Sequence, residues 1–197
     1  MHSHPPGSDG EHLLQKKYGT EARALKFYNN QVLDHLNENM IDYLKRQTLL
    51  FISTADRHGN CDCSLRAGPA GFTQVIDSKN LMYPEYRGNG VLASLGNITE
   101  NPHIGMFFAD FMHTTIGLHI NGEARIVECG DLPPSVSSSQ NEESPQAERW
   151  VHIEVEEAYI HCSKHIPKLE LKDKKIDWGT DDEKAKGGDF FGVGVQR

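Results

Sequence analysis

Residues 48–67 read TLLFISTADRHGNCDCSLRA. The run TLLFIST is short, apolar and rich in β-branched residues, and ADRHGN after it supplies Asp, Gly and Asn as turn formers. A second strand-like run, CDCSLRA, follows at once. So short a connection leaves no room for a crossover helix, which favours antiparallel pairing.

The pattern continues downstream. FTQVID (72–77), NLMY (80–83), HIGMFFAD (103–110), TIGLHINGEARIV (115–127) and WVHIEVEE (150–157) are strand-like and parted by Gly, Pro, Asn and Asp. Only GVLASLGNITENP (90–102) offers a helix between strands. About six antiparallel strands with few helices point to a barrel. Upstream, Leu25, Val32, Leu33, Leu36, Met40 and Leu44 recur at helical spacing behind Thr20 as N-cap. NEN at 37–39 divides that stretch into a longer and a shorter helix.

The 197 residues suit one domain, read as an N-terminal tail (1–19), a helical part (20–46), a barrel (48–162) and a C-terminal extension (163–197). Residues 131–147, DLPPSVSSSQNEESPQA, are too polar to bury much surface and are expected to form a mobile loop. GDFFGVG (188–194) is an apolar patch that would dock on the body or on a second subunit.

A net charge of -8 argues against a nucleic-acid partner. No run approaches the ~20 apolar residues of a membrane span, and the first residues lack a secretory apolar core. The expectation is a cytoplasmic protein. Cys61 and Cys63 share a strand face at a spacing unlike that of common zinc sites, and the 11 histidines are scattered, so no metal site is expected. No G-x-S-x-G, H-E-x-x-H, Walker A loop or G-x-G-x-x-G after a strand is present.

The corner YPEYRGNG (83–90) carries more information. Gly88 and Gly90 let main-chain amides approach a ligand, Arg87 offers a bidentate fork and Asn89 an amide. If a helix begins at residue 90, its first amides point at the same place. Such a corner is either a dianion seat or a plain turn with a solvated arginine. Ser64 and Arg66, two apart on one strand, face the same way and would add to a seat.

From FISTADRHGN through SLRAGPAGF, VIDSKNLMYPEYRGNG and ITENP to NGEARIV, the order of motifs over about residues 40–128 resembles the pyridoxamine 5'-phosphate oxidase-like family of FMN-binding split barrels. WVHIEVEEAYIHC would be the last barrel strand. The resemblance implies a mainly β fold with flanking helices, a six-stranded antiparallel split barrel, forming a homodimer with FMN at the subunit interface. Carried over by position, Ser64, Arg66, Arg87, Gly88, Asn89 and Gly90 would hold the flavin phosphate. Gln74, Val75 and Ile76 would lie along the ring, with Tyr83 and Pro84 near the ribityl chain.

The chain departs from true pyridoxamine phosphate oxidases. SLRAGPAGF replaces an Arg-rich strand ending in Lys, and RGNG replaces an Arg-Lys corner. The C-terminal Lys164, Lys168 and Trp178 fit no matching pattern. The implied function is that of a relative sharing the flavin fold rather than of a true pyridoxamine phosphate oxidase, an FMN-dependent oxidoreductase acting on a small organic substrate. Tyr86, His113 and Lys164 are candidates for its substrate side, and no catalytic base is nominated. The alternatives are a non-enzymatic flavin carrier or sensor, and a haem-handling protein with a histidine ligand.

Overall fold

The computed structural model describes residues 6–137 and 146–174, and within the C-terminal segment 176, 180, 182, 185 and 187–194. Residues 138–145 of the expected loop at 131–147 therefore lie outside the described residues, as does Trp178. Its two ends are described: a short helix at Pro134–Ser137 follows the first, and the last long strand begins at the second.

The 48–67 reading becomes a hairpin. β2 (Leu49–Ala55) pairs antiparallel with β3 (Cys61–Ala67), in register from Leu49 opposite Ala67 to Ala55 opposite Cys61. The Asp56 carboxylate holds the turn by accepting the N–H groups of His58 and Asn60 at 2.8 and 2.9 Å. Gly59 takes the left-handed conformation there (φ +83°).

The sheet has eight strands rather than six. Six are long: β2, β3, β5 (Asn80–Tyr86), β6 (His103–Ala109), β7 (Gly117–Val127) and β8 (Ala147–His161). The other two, β1 (Val32–Leu33) and β4 (Gln74–Val75), have two residues each. A bridge that short needs no apolar run of its own, so it leaves no period in the sequence. Val32 and Leu33, read as helical, instead lie against Tyr159 and Ala158 of β8. All pairings are antiparallel, in the order β3-β2-β6-β7-β8-β5-β4, with β1 joined to β8.

Inward residues of the long strands form the main core, including Leu50, Ile52, Leu81, Tyr83, Met106, Phe108, Ile120 and Ile153. β5 is buried at five consecutive positions because its other face meets a second cluster around Trp150 and Val136. Three helices lie outside the sheet's own length: α1 (Asp9–Tyr18), α2 (Glu21–Gln31) and α3 (Glu38–Leu44). α1 stands where a tail was expected. Ser8 and Glu11 cap it reciprocally and Gly19 ends it in the left-handed conformation. It buries no residue, and so carries no apolar period to read.

α4 (Ala93–Glu100) connects β5 to β6 and packs on β2, β3 and β7. Among the described residues, no helix is long and apolar enough to cross a membrane.

Candidate functional site

β5 leaves the sheet at Tyr86, and α4 begins at Ala93. The chain between them is the corner singled out in the sequence. Asn89 Oδ1 accepts the Val91 N–H at 3.0 Å, Gly90 is left-handed (φ +81°), and Leu92 is left-handed too (φ 57°). These turns delay the helix by about one turn beyond the expected start at residue 90. Nothing lies within 4 Å of a Cβ built on Gly88 or Gly90, so both open onto free space.

That space is a cleft of about 880 Å³ between β3, the corner, the first turn of α4 and the start of β8. Ser64, Arg66, Arg87, Gly88, Asn89 and Gly90 all line it. So do Ala93, Ser94 and Leu95, whose N–H groups belong to a helical first turn and have no acceptor within the helix.

The remaining candidates lie elsewhere. Gln74 and Val75 pair with Met82 and Leu81, and Gln74 Nε2 donates to the Gly71 carbonyl at 2.8 Å. Ile76 packs on the second cluster. Tyr83 is buried in the main core, and Pro84 is buried opposite Trp150 in the β5–β8 ladder. None of these five lines the cleft. Of the substrate-side candidates, Tyr86 lines it; His113 lines a different cleft with Asp110 and Leu169, and Lys164 stands exposed in a short 3-10 helix.

Two residues that sequence reading missed decide the electrostatics. Glu85 Oε1 accepts from Arg66 Nε at 2.8 Å, and both side chains are largely buried, 11% and 17% exposed. Arg66 Nη1 also donates to Ser64 Oγ at 2.7 Å and to the Leu65 carbonyl at 3.2 Å. Burial pushes the Glu85 carboxyl above the usual range, against the pull of Arg66 and Arg149. Arg149 completes a lining of three guanidinium groups (Arg66, Arg87, Arg149) and three carboxylates (Asp62, Glu85, Glu148). Glu85 had one signal in the sequence: an acid set among Tyr83, Pro84 and Tyr86, where a buried carboxylate needs a partner.

A phosphorylated flavin fits this donor set. Two arginines, two open glycines and a helical first turn line one cleft, and its volume admits a fused-ring ligand. Glu85 is the opposing element, because it shares Arg66 with any anion that enters.

The family match and the superposition on HupZ bear on the fold. Among curated proteins, none matches the chain. HupZ of Group A Streptococcus superposes with a TM-score of 0.50 at 18% identity, covering 68% of this chain and 99% of that one. A protein of Clostridium acetobutylicum related to general stress protein 26, of the pyridoxinephosphate oxidase family, gives 0.43 at 12% identity, over 68% of this chain and 92% of that one. HutZ, the haem storage protein of Vibrio cholerae, gives 0.41 at 14%, over 62% and 93%. The family model described as pyridoxamine 5'-phosphate oxidase matches residues 36–162, which span β2 to β8 and the whole cleft lining. By that match over more than half its length, the chain belongs to the pyridoxamine 5'-phosphate oxidase family.

Proposed function

We propose that the protein is an FMN-binding flavoprotein, an oxidoreductase acting on a small organic substrate as a homodimer. One observation carries this reading: the six residues nominated for the phosphate end, from two separate elements, line a single cleft together with the first turn of α4. When bound, the flavin supplies hydride or electron transfer. The chain's own part is binding and orientation. Arg66 and Arg87 supply positive charge to the phosphate, Gly88 and Gly90 allow close backbone approach, and Glu85 fixes the Arg66 fork. Tyr86 stays neutral, since burial raises its hydroxyl pKa. The homodimer is supported by Leu65, Val91 and Leu92, three exposed apolar residues at the cleft that a second copy would cover.

The test is an absorption spectrum of the purified chain after adding FMN and dialysing. Retained flavin bands support the reading, and their absence from a folded protein overturns it. Arg87→Ala should then weaken FMN far more than riboflavin, because only FMN carries the phosphate; equal losses would remove Arg87 from the site.

A haem-handling reading has one observation on its side. His119 and His161 lie on the outer sheet face with Nε2 and Nδ1 3.0 Å apart, beside the rings of Phe107 and Tyr159. A Soret band on adding haem, with no flavin retained, would favour it.

A further inference from the structure

The outer face of the sheet carries a second constellation, away from the cleft. β6, β7 and β8 lie side by side, with His103 directly opposite Glu123 and Glu123 directly opposite Glu154. The β7–β8 register shifts at Asn121/Gly122, where Asn121 faces Glu157 and Gly122 faces Val155. Glu156 is thus the extra residue of a β-bulge, a device that re-aims a side chain. The bulge requires glycine at 122, since a Cβ there would collide with the Glu154 carbonyl. Glu157 is engaged by Asn121 Nδ2 at 2.6 Å, while Glu156 Oε2 lies 4.0 Å from His103 Nδ1. One ligand atom each from His103, Glu123 and Glu156 lies within 4.8 Å of the others. Beneath them Gly105, Asn121 and Gly122 shape a shallow groove of about 320 Å³ that His103 and Glu156 also line.

The charge arrangement breaks a rule of sheet design. Like charges directly opposite one another, as Glu123 and Glu154 are, destabilise a strand pair. Among the described residues no Lys or Arg forms an ion pair with Glu123, Glu154 or Glu156. A bound cation would relieve the repulsion. The donor set narrows the ion, for one imidazole nitrogen with two carboxylates suits a first-row divalent metal such as zinc or manganese better than calcium or magnesium, which favour all-oxygen shells.

We propose that His103, Glu123 and Glu156 form a divalent transition-metal site that ties β6, β7 and β8 together on the outer face. It needs no C-x2-C or H-E-x-x-H spacing, because each ligand comes from a different strand, and so it departs from the expectation of no metal. The site stands independently of the flavin reading.

Calorimetric titration of the full-length chain with Zn²⁺, paired with Co²⁺ absorption spectra, tests the proposal. One saturable site is expected, giving cobalt d–d bands without a thiolate charge-transfer band. It should vanish in both His103→Ala and Glu156→Gln and persist in His58→Ala, a substitution in the exposed β2–β3 turn. All three positions are exposed, so folding should survive, and an unchanged metal-free melting temperature verifies this. Zn²⁺ should raise the melting temperature of the wild-type chain but not of the two site variants. No saturable site in the wild type overturns the proposal. So does binding unchanged in His103→Ala and Glu156→Gln, or a thiolate band that moves the ion to the exposed cysteines.

Discussion

Arg66 on β3 and Glu85 on β5 meet at 2.8 Å across a boundary of the sheet that no backbone ladder closes. The sheet path runs from β3 to β4 without the ends pairing, yet it curls far enough for two charged side chains to span the gap. Removing one partner of such a pair strands the other in a poorly solvated place. Arg66→Met or Glu85→Leu alone should each cost about 3 kcal/mol, while the double substitution should cost much less than the sum. Urea denaturation of the four proteins checks this, and additive single losses would mean the two residues are not energetically joined.

The same pair should govern ligand charge. Glu85→Gln removes a carboxylate from the cleft but keeps a hydrogen-bond acceptor for Arg66. FMN affinity should rise relative to riboflavin by about 1 kcal/mol, the scale of a screened charge–charge contact. Fluorescence titration with both ligands decides it. An unchanged ratio would place the phosphate away from Glu85.

Acid should weaken the fold through His119. Burial first, and then the neighbouring His161, hold its pKa below the ordinary 6.5. As pH falls below 6.5 the unfolded chain takes up a proton that the folded chain resists, so this contribution to stability is lost as the solution is acidified. His119→Phe, which keeps a ring between Phe107 and Tyr159, should flatten the stability profile between about pH 7 and pH 5. His152 is depressed in the same direction by burial, so a residual slope should remain. A variant profile that matches the wild type would remove His119 as a source.

Gly122→Ala should be among the costliest small substitutions in the sheet. The added methyl group meets backbone, which cannot rotate away, so a loss of about 2 kcal/mol or more is expected by thermal denaturation. Gly88→Ala, facing open space, should lie near wild type. Equal effects would argue against the bulge.

Tyr83 is fully buried, and its hydroxyl has no hydrogen-bond partner among the described residues. Tyr83→Phe should therefore stabilise the protein by about 1 kcal/mol by removing a desolvated, unpaired group. Destabilisation on denaturant titration would show that the hydroxyl has a partner in solution.

The contrast between what was legible and what was not follows from range. The 48–67 hairpin, the β6 and β7 runs and the Arg87–Gly90 corner are local: turn formers and short apolar runs announce them within about a dozen residues. Ser64 and Arg66 were joined to the corner by strand alternation and motif order, and in the structure they line one cleft with it. Glu85 was not legible, because its burial is matched by a partner, Arg66, nineteen residues away on another strand. α1 shows a complementary failure. Its Ser8–Glu11 capping box was present in the sequence, but a helix that buries nothing lacks the apolar stripe that draws attention to it. Val32 and Leu33 turn from an expected helix to strand because they satisfy either period, and only pairing with Tyr159 and Ala158 selects between them.

β8 pairs with β1, β5 and β7 at once, yet it is the last of the sheet's described strands in chain order. Until residues 147–161 emerge, β5 has only the two-residue β4 beside it, and β7 has one open edge. Between the delivery of β7 and that of β8 the nascent chain therefore holds two unsatisfied strand edges, and closure waits on contacts of long sequence separation. Folding of this sheet is tied to the delivery of β8, and translation products ending before residue 147 would be clients for chaperones or proteases rather than smaller folded versions of the protein.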